Sequence, residues 1–134
     1  TSIGLRKELT VFGNNYPTRD GYCVRDYIHV VDLAKAHIKS LDKLISNKDK
    51  SYYDTFNIGT GKGTSVLELI KCFENVTENK LNFKIGDRRK GDVAECFADV
   101  SKANKFLNWK SEISVEDSLL SSWNWEKNIN NEKL

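Results

Sequence analysis

Short runs of β-prone residues alternate along this chain with segments whose apolar residues recur at helical spacing, and that alternation restricts the fold more than any other feature. After Asp32, the expected cap, Leu33, Ala36, His37, Ser40, Leu41, Leu44 and Ile45 keep a helical period. A second helix is expected from Thr64 or Ser65 as cap to about Val76, with Val66, Leu69, Ile70 and Phe73 on its buried side. Ser101 should cap a brief helix ending near Trp109, and Val115 to Ile129 should form a last one with Leu119, Leu120 and Trp123 inward. Strands are expected at Leu9 to Phe12, Tyr53 to Ile58 and Leu81 to Ile85. Arg25 to Val30 reads as a strand or an extended entry to the first helix, Lys48 to Ser51 as a charged connector, and Val93 to Ala98 as an extended run. The interleaving predicts an α/β or mixed α+β layer structure.

At 134 residues the chain is the size of one domain, 1–134, with one hydrophobic core. Its 21 basic and 19 acidic residues leave a net charge of +2, too small for a broad nucleic-acid or membrane footprint, so any anion site must be local. The apolar runs are far shorter than a membrane span and no signal-peptide pattern opens the chain, which predicts a soluble, cytoplasmic protein. Cys23, Cys72 and Cys96 are odd in number and form no C-x-x-C pair, so reduced thiols are expected, with neither a disulfide framework nor a zinc site. The chain has no Met and opens on Thr1-Ser2-Ile3, which reads as the tail of a helix; a piece of a longer protein and a chain with its initiator removed fit this equally.

Gly59-Thr60-Gly61-Lys62-Gly63 between a strand and a helix invites a dinucleotide reading, but its third glycine comes one residue early for G-x-G-x-x-G, which favours a structural turn. His29 and His37 lack the further ligands that a metal site needs, and no G-x-S-x-G elbow exists. The residues that could carry chemistry are Arg25 and the loop Arg88-Arg89-Lys90-Gly91-Asp92. Guanidinium forks match phosphate oxygens, so two of them could hold a diphosphate, with Asp92 facing ribose hydroxyls and Gly91 turning the loop between the two tasks. The competing reading is a solvated charged loop with Arg25 paired to Asp26 or another acid.

Phe12 to Thr18, Asp20-Gly21, Val24 to Val30, Asn57 to Gly61 leading into Ser65-Val66, and Arg88-Arg89 with Gly91-Asp92 occur in an order and spacing that resemble UDP-glucose (UDP-galactose) 4-epimerases of the extended short-chain dehydrogenase/reductase superfamily. The resemblance covers nearly the whole chain. It implies a small C-terminal substrate-binding domain, a fragment of a longer enzyme, without the Rossmann NAD domain. It implies uracil near Phe12, the diphosphate on Arg25 and Arg89, ribose hydroxyls on Asp92, and at Cys96 a small pocket residue associated with room for an N-acetylated sugar.

The resemblance further implies a parent enzyme of galactose metabolism, a homodimer that oxidises the sugar C4 with bound NAD and re-reduces it on the other face. None of Tyr16, Tyr22, Tyr27, Tyr52 or Tyr53 has Lys four positions on, so the family's catalytic Tyr-x-x-x-Lys pair is not in this chain. No catalytic residue, NAD site or metal is therefore expected here, and the chain alone should be inactive. The alternatives are a stand-alone nucleotide-sugar-binding module and a dehydratase or decarboxylase of the same superfamily. The chain departs from the family pattern at Asn15 and Arg19, where acids are more usual, and at Tyr22-Cys23, where a Thr-Gly is usual and a flexible residue is lost.

Overall fold

The structure, a computed structural model, describes residues 1–48 and 51–131. Nine elements follow in order: β1 (Leu9–Phe12), β2 (Val24–Arg25), α1 (Val30–Ser46), β3 (Thr64–Ser65), α2 (Val66–Thr77), β4 (Phe83–Gly86), β5 (Glu95–Cys96), α3 (Ser101–Leu107) and α4 (Val115–Asn131). β1 and β4 pair in parallel, Leu9 with Phe83 through Phe12 with Gly86. β2 lies at the centre of a second small sheet, antiparallel to β3 and parallel to β5. The mixed α/β architecture agrees with the sequence reading.

Several local expectations are corrected. Asp32 does not cap α1: the His29 ring Nδ1 accepts the Val31 N–H at 3.0 Å, which leaves Nε2 to donate to Ser121 Oγ. Asp32 is instead fully buried in the first turn, where one carboxylate oxygen accepts the N–H groups of Glu112 and Ile113, each at 2.8 Å. Of the two readings of Arg25 to Val30, the extended entry to α1 holds, with the strand limited to Val24–Arg25. Tyr53 to Ile58 forms no ladder among the described residues, although its burial alternates like that of a strand. Thr1 to Gly4 is a turn closed by Gly4 N–H on the Thr1 carbonyl, not the tail of a helix. At α3 the first N–H is met by Asp99, not by the Ser101 hydroxyl, and Leu120 of α4 faces outward. Asp49 and Lys50 of the expected connector lie outside the described residues.

Ser65 caps α2 with a complete capping box: its hydroxyl accepts the Glu68 N–H, and the Glu68 carboxylate accepts the Ser65 N–H. α2 and α4 pack with Phe73 edge-on to Trp123, centroids 5.8 Å apart, a pairing that contributes about 0.5–1.5 kcal/mol beyond its buried area. Ala36 of α1, Ala103 and Leu107 of α3, and Trp109 form the main buried cluster, with Ile28, Phe56 and Ile58 against it. Val11, Tyr16, Cys23, Val24 and Ile70 are the other buried apolar residues, spread over β1, β2, the loop between them and α2.

Candidate functional site

The loop between β1 and β2 is fixed before any ligand is considered. Gly13 takes φ +81°, a left-handed value open to glycine, and donates its N–H to the Gly86 carbonyl at 2.9 Å. A side chain there would strike Arg88 and the Tyr16 ring. The Arg88 guanidinium instead sits over that ring, 3.8 Å from its centroid, and donates to the Asn15 carbonyl. Farther along, Arg19 sends its fork to the Glu68 carboxylate and the Gly63 carbonyl, while Asp20 accepts from the Ser65 hydroxyl and the Tyr22 N–H. The departure from the family pattern at Arg19 thus becomes a tether between the loop and the start of α2.

The expected site residues meet along one line of contacts. The Arg89 guanidinium lies 4.7 Å from the Phe12 ring centroid. Arg89 Nε and Nη2 donate to the two oxygens of Asp92 at 2.8 and 3.3 Å, and Arg25 Nη2 stands 3.8 Å from Asp92 Oδ1. Arg25 is in register with Cys96 across β2 and β5. Gly91, at φ +90°, makes the turn that brings Asp92 back onto Arg89. The hydrogen bonds to Asp92 hold the Arg89 guanidinium above its ordinary value. Arg25 pairs with Asp92 and not with Asp26, so the arrangement is two cations converging on one acid, flanked by an exposed aromatic ring and an exposed thiol.

Sequence reading missed Asp26. Its carboxylate accepts the Thr60 hydroxyl and the N–H groups of Thr60, Gly61 and Ala98, the N–H bonds at 2.8, 3.1 and 3.2 Å. Burial alone would raise the Asp26 carboxyl; the bonds from Thr60, Ala98 and Gly61 outweigh it and hold the group below its ordinary value. Gly59 is required beside it, because a Cβ there would collide with the Asp26 carboxylate and the Ala98 methyl. Asp26 therefore ties the turn at Gly59 to Gly61 and the segment after β5 to the strand that carries Arg25. No local sequence signal pointed to it, because 34 to 72 residues separate Asp26 from its partners.

The same bonds decide the dinucleotide question for this turn. The Thr60 and Gly61 amides that a pyrophosphate would need already serve the Asp26 carboxylate, so the turn does not fit NAD. His37 donates Nδ1–H to the Leu33 carbonyl, and among the described residues no group of three or more His, Cys, Asp or Glu is placed to hold a metal ion. Cys23 is buried, Cys72 half-buried and Cys96 exposed, all as free thiols. No helix of the described residues is long and apolar enough to cross a membrane.

The family model described as GDP-mannose 4,6 dehydratase matches residues 1–121. The UDP-glucose 4-epimerase of Bacillus subtilis (strain 168) is 46% identical over 133 residues, which is 98% of this chain and 38% of its own length. The solved UDP-glucose-4-epimerase of Stenotrophomonas maltophila, with bound NAD and formylated UDP-arabinopyranose, is 44% identical with a TM-score of 0.91, covering 98% of this chain and 38% of that one. The Bifidobacterium longum UDP-glucose 4-epimerase, in complex with NAD+ and UDP, is 46% identical with a TM-score of 0.88, over 97% and 38%. The chain thus spans 38% of the length of each of these three relatives.

Proposed function

The chain belongs to the family described as GDP-mannose 4,6 dehydratase, in the extended short-chain dehydrogenase/reductase superfamily, and on that premise we propose that it is the UDP-sugar-binding part of an NAD-dependent UDP-glucose/UDP-galactose 4-epimerase. The observation that carries the reading is the convergence of Arg25 and Arg89 on Asp92 beside the Phe12 ring. A diphosphate arriving there replaces the carboxylate as the arginines' partner and frees Asp92 to accept ribose hydroxyls. Uracil rests against Phe12, the sugar extends toward Cys96, and the small thiol leaves room for an N-acetylated hexose. The epimerase relatives at 46% identity favour epimerisation over the dehydration named in the family description.

In this reading the chain supplies grip. Binding energy spent on the nucleotide, remote from the reacting carbon, leaves the hexose free to turn. Bound NAD would supply the oxidation and re-reduction of the sugar, and it belongs to a part of the parent outside this chain. A full-length homodimer in the cytoplasm, serving galactose metabolism, completes the proposal.

Nuclear magnetic resonance of the Arg25 and Arg89 side chains tests the assignment. UDP is expected to move both guanidinium signals, and uridine, which lacks the diphosphate, to leave them in place. UDP that moves neither signal would overturn the reading.

A further inference from the structure

One flank of α1 and the end of α3 enclose a groove of about 430 Å³ that shares no residue with the arginine site. Two rows of side chains form its walls. Lys35, Ile38 and Lys39 lie three to four residues apart on α1, and Asn104 and Asn108 lie one turn apart on the other wall. α3 stops at Asn108, which takes a left-handed φ of 47°. The chain then buries Trp109 against Ala36, beneath the groove, and returns Lys110 to its rim.

The polar groups of this groove are largely uncommitted. Lys35 is held by Glu112, with Nζ 3.2 Å from the carboxylate, and stands 3.7 Å from Asp32. Lys39 and Lys110 meet no carboxylate and no aromatic ring among the described residues, and the side-chain amides of Asn104 and Asn108 form no hydrogen bond there. The Trp109 indole N–H is buried and likewise has no acceptor. Three lysines against one glutamate leave +2 in the groove, as much as the whole chain carries. Ile38, 59% exposed, gives one wall an apolar patch.

These groups select among anions. A carboxamide offers a donor and an acceptor together, the pair that a peptide backbone needs. One helical turn between Asn104 and Asn108 is ~6 Å, close to the ~6.7 Å between alternate residues of an extended chain. Lysine ammonium groups take carboxylates as point charges, and Ile38 takes an aliphatic side chain between them. A nucleic acid fits less well, because Trp109 is buried and presents no ring face on which a base could stack. We infer that the groove between α1 and α3 binds an extended acidic segment of another protein, with its carboxylates on Lys39 and Lys110 and its backbone on Asn104 and Asn108. The inference does not depend on the UDP reading and is tested without nucleotide.

The test is nuclear magnetic resonance of the 134-residue chain with acetyl-Glu-Leu-Glu-Leu-Glu-amide as the probe. Saturable shifts are expected at the Trp109 indole N–H and at the Asn104 and Asn108 side-chain amides. Lys39→Gln with Lys110→Gln is expected to weaken binding at least ~10-fold, as is replacement of each Glu of the probe by Gln, whereas Lys71→Gln on α2, outside the groove, leaves it unchanged. No saturable shift at ~5 mM peptide overturns the inference. So does a neutral probe that binds equally well, or a double variant, folded by its remaining amide signals, that keeps full affinity. Inorganic phosphate or oligothymidylate that moves the same signals at equal or lower concentration assigns the groove to phosphate and overturns it. Shifts that follow protein concentration without any peptide assign it to a second copy and also overturn it.

Discussion

Two aspartates adjoin Arg25, Asp26 as its neighbour in the chain and Asp92 as the partner of its side chain, and their surroundings differ in kind. Asp26 is saturated by one hydroxyl and three backbone N–H groups, donors that cannot leave without unfolding the turn. Asp92 is met by the ends of two arginine side chains, of which Arg89 is 60% exposed. The first acid fixes a scaffold. In the proposed function the second holds its cations ready for a diphosphate. The proposed function thus separates support from exchange between two carboxylates, so that a site could trade partners without losing its frame.

The largest expected effect breaks the scaffold. Asp26→Ala leaves half-buried amides at Thr60, Gly61 and Ala98 without an acceptor and is expected to cost about 3 kcal/mol in urea unfolding, given about 1–3 kcal/mol for each polar group left unsatisfied and partial rescue by water. Arg89→Ala should do the reverse: stability within about 0.5 kcal/mol of the parent, because the Arg89 side chain is 60% exposed and Arg25 stays beside Asp92, but UDP affinity down about 10- to 100-fold. A variant at Asp26 that kept full stability, or one at Arg89 that lost it, would erase the distinction.

Ser65→Ala lies between these two. It removes the cap of α2 and the hydroxyl donor to Asp20, for an expected loss of about 1–2 kcal/mol in thermal or urea unfolding. The smallest effect is at Glu68, whose carboxyl is drawn down from 4.5 to about 2 by the Arg19 fork and then by the Ser65 N–H. Its folded value lies below its unfolded one, so the contribution is complete above pH 4.5 and is lost as pH falls toward 2. Glu68→Gln is expected to flatten the acid-unfolding curve across that window and to leave UDP binding at neutral pH unchanged.

Much of this arrangement was legible in the sequence because it is local or chemically distinctive. The α2 cap follows from Ser65 and Glu68 three residues apart, and the arginine-rich loop with Asp92 stands out by its composition. What escaped depends on distance. Asp26 finds its acceptor role through Thr60 and Ala98, and Asp32 through Glu112 and Ile113, partners that no local pattern reveals. The helical period of α1 identified a helix without saying which side faces this chain's core: small Ala36 is inside while Leu41, Leu44 and Ile45 are out. Residues 53–58 have the composition and burial pattern of a strand, but a strand is defined by its neighbour, and among the described residues none pairs with them.

The most direct measurement is calorimetric titration of the 134-residue chain with UDP and, separately, with NAD, repeated on Arg89→Ala. The expected result is salt-sensitive UDP binding that the substitution weakens, with no heat from NAD. NAD binding to this chain, or UDP binding that is absent or indifferent to Arg89, would contradict the account.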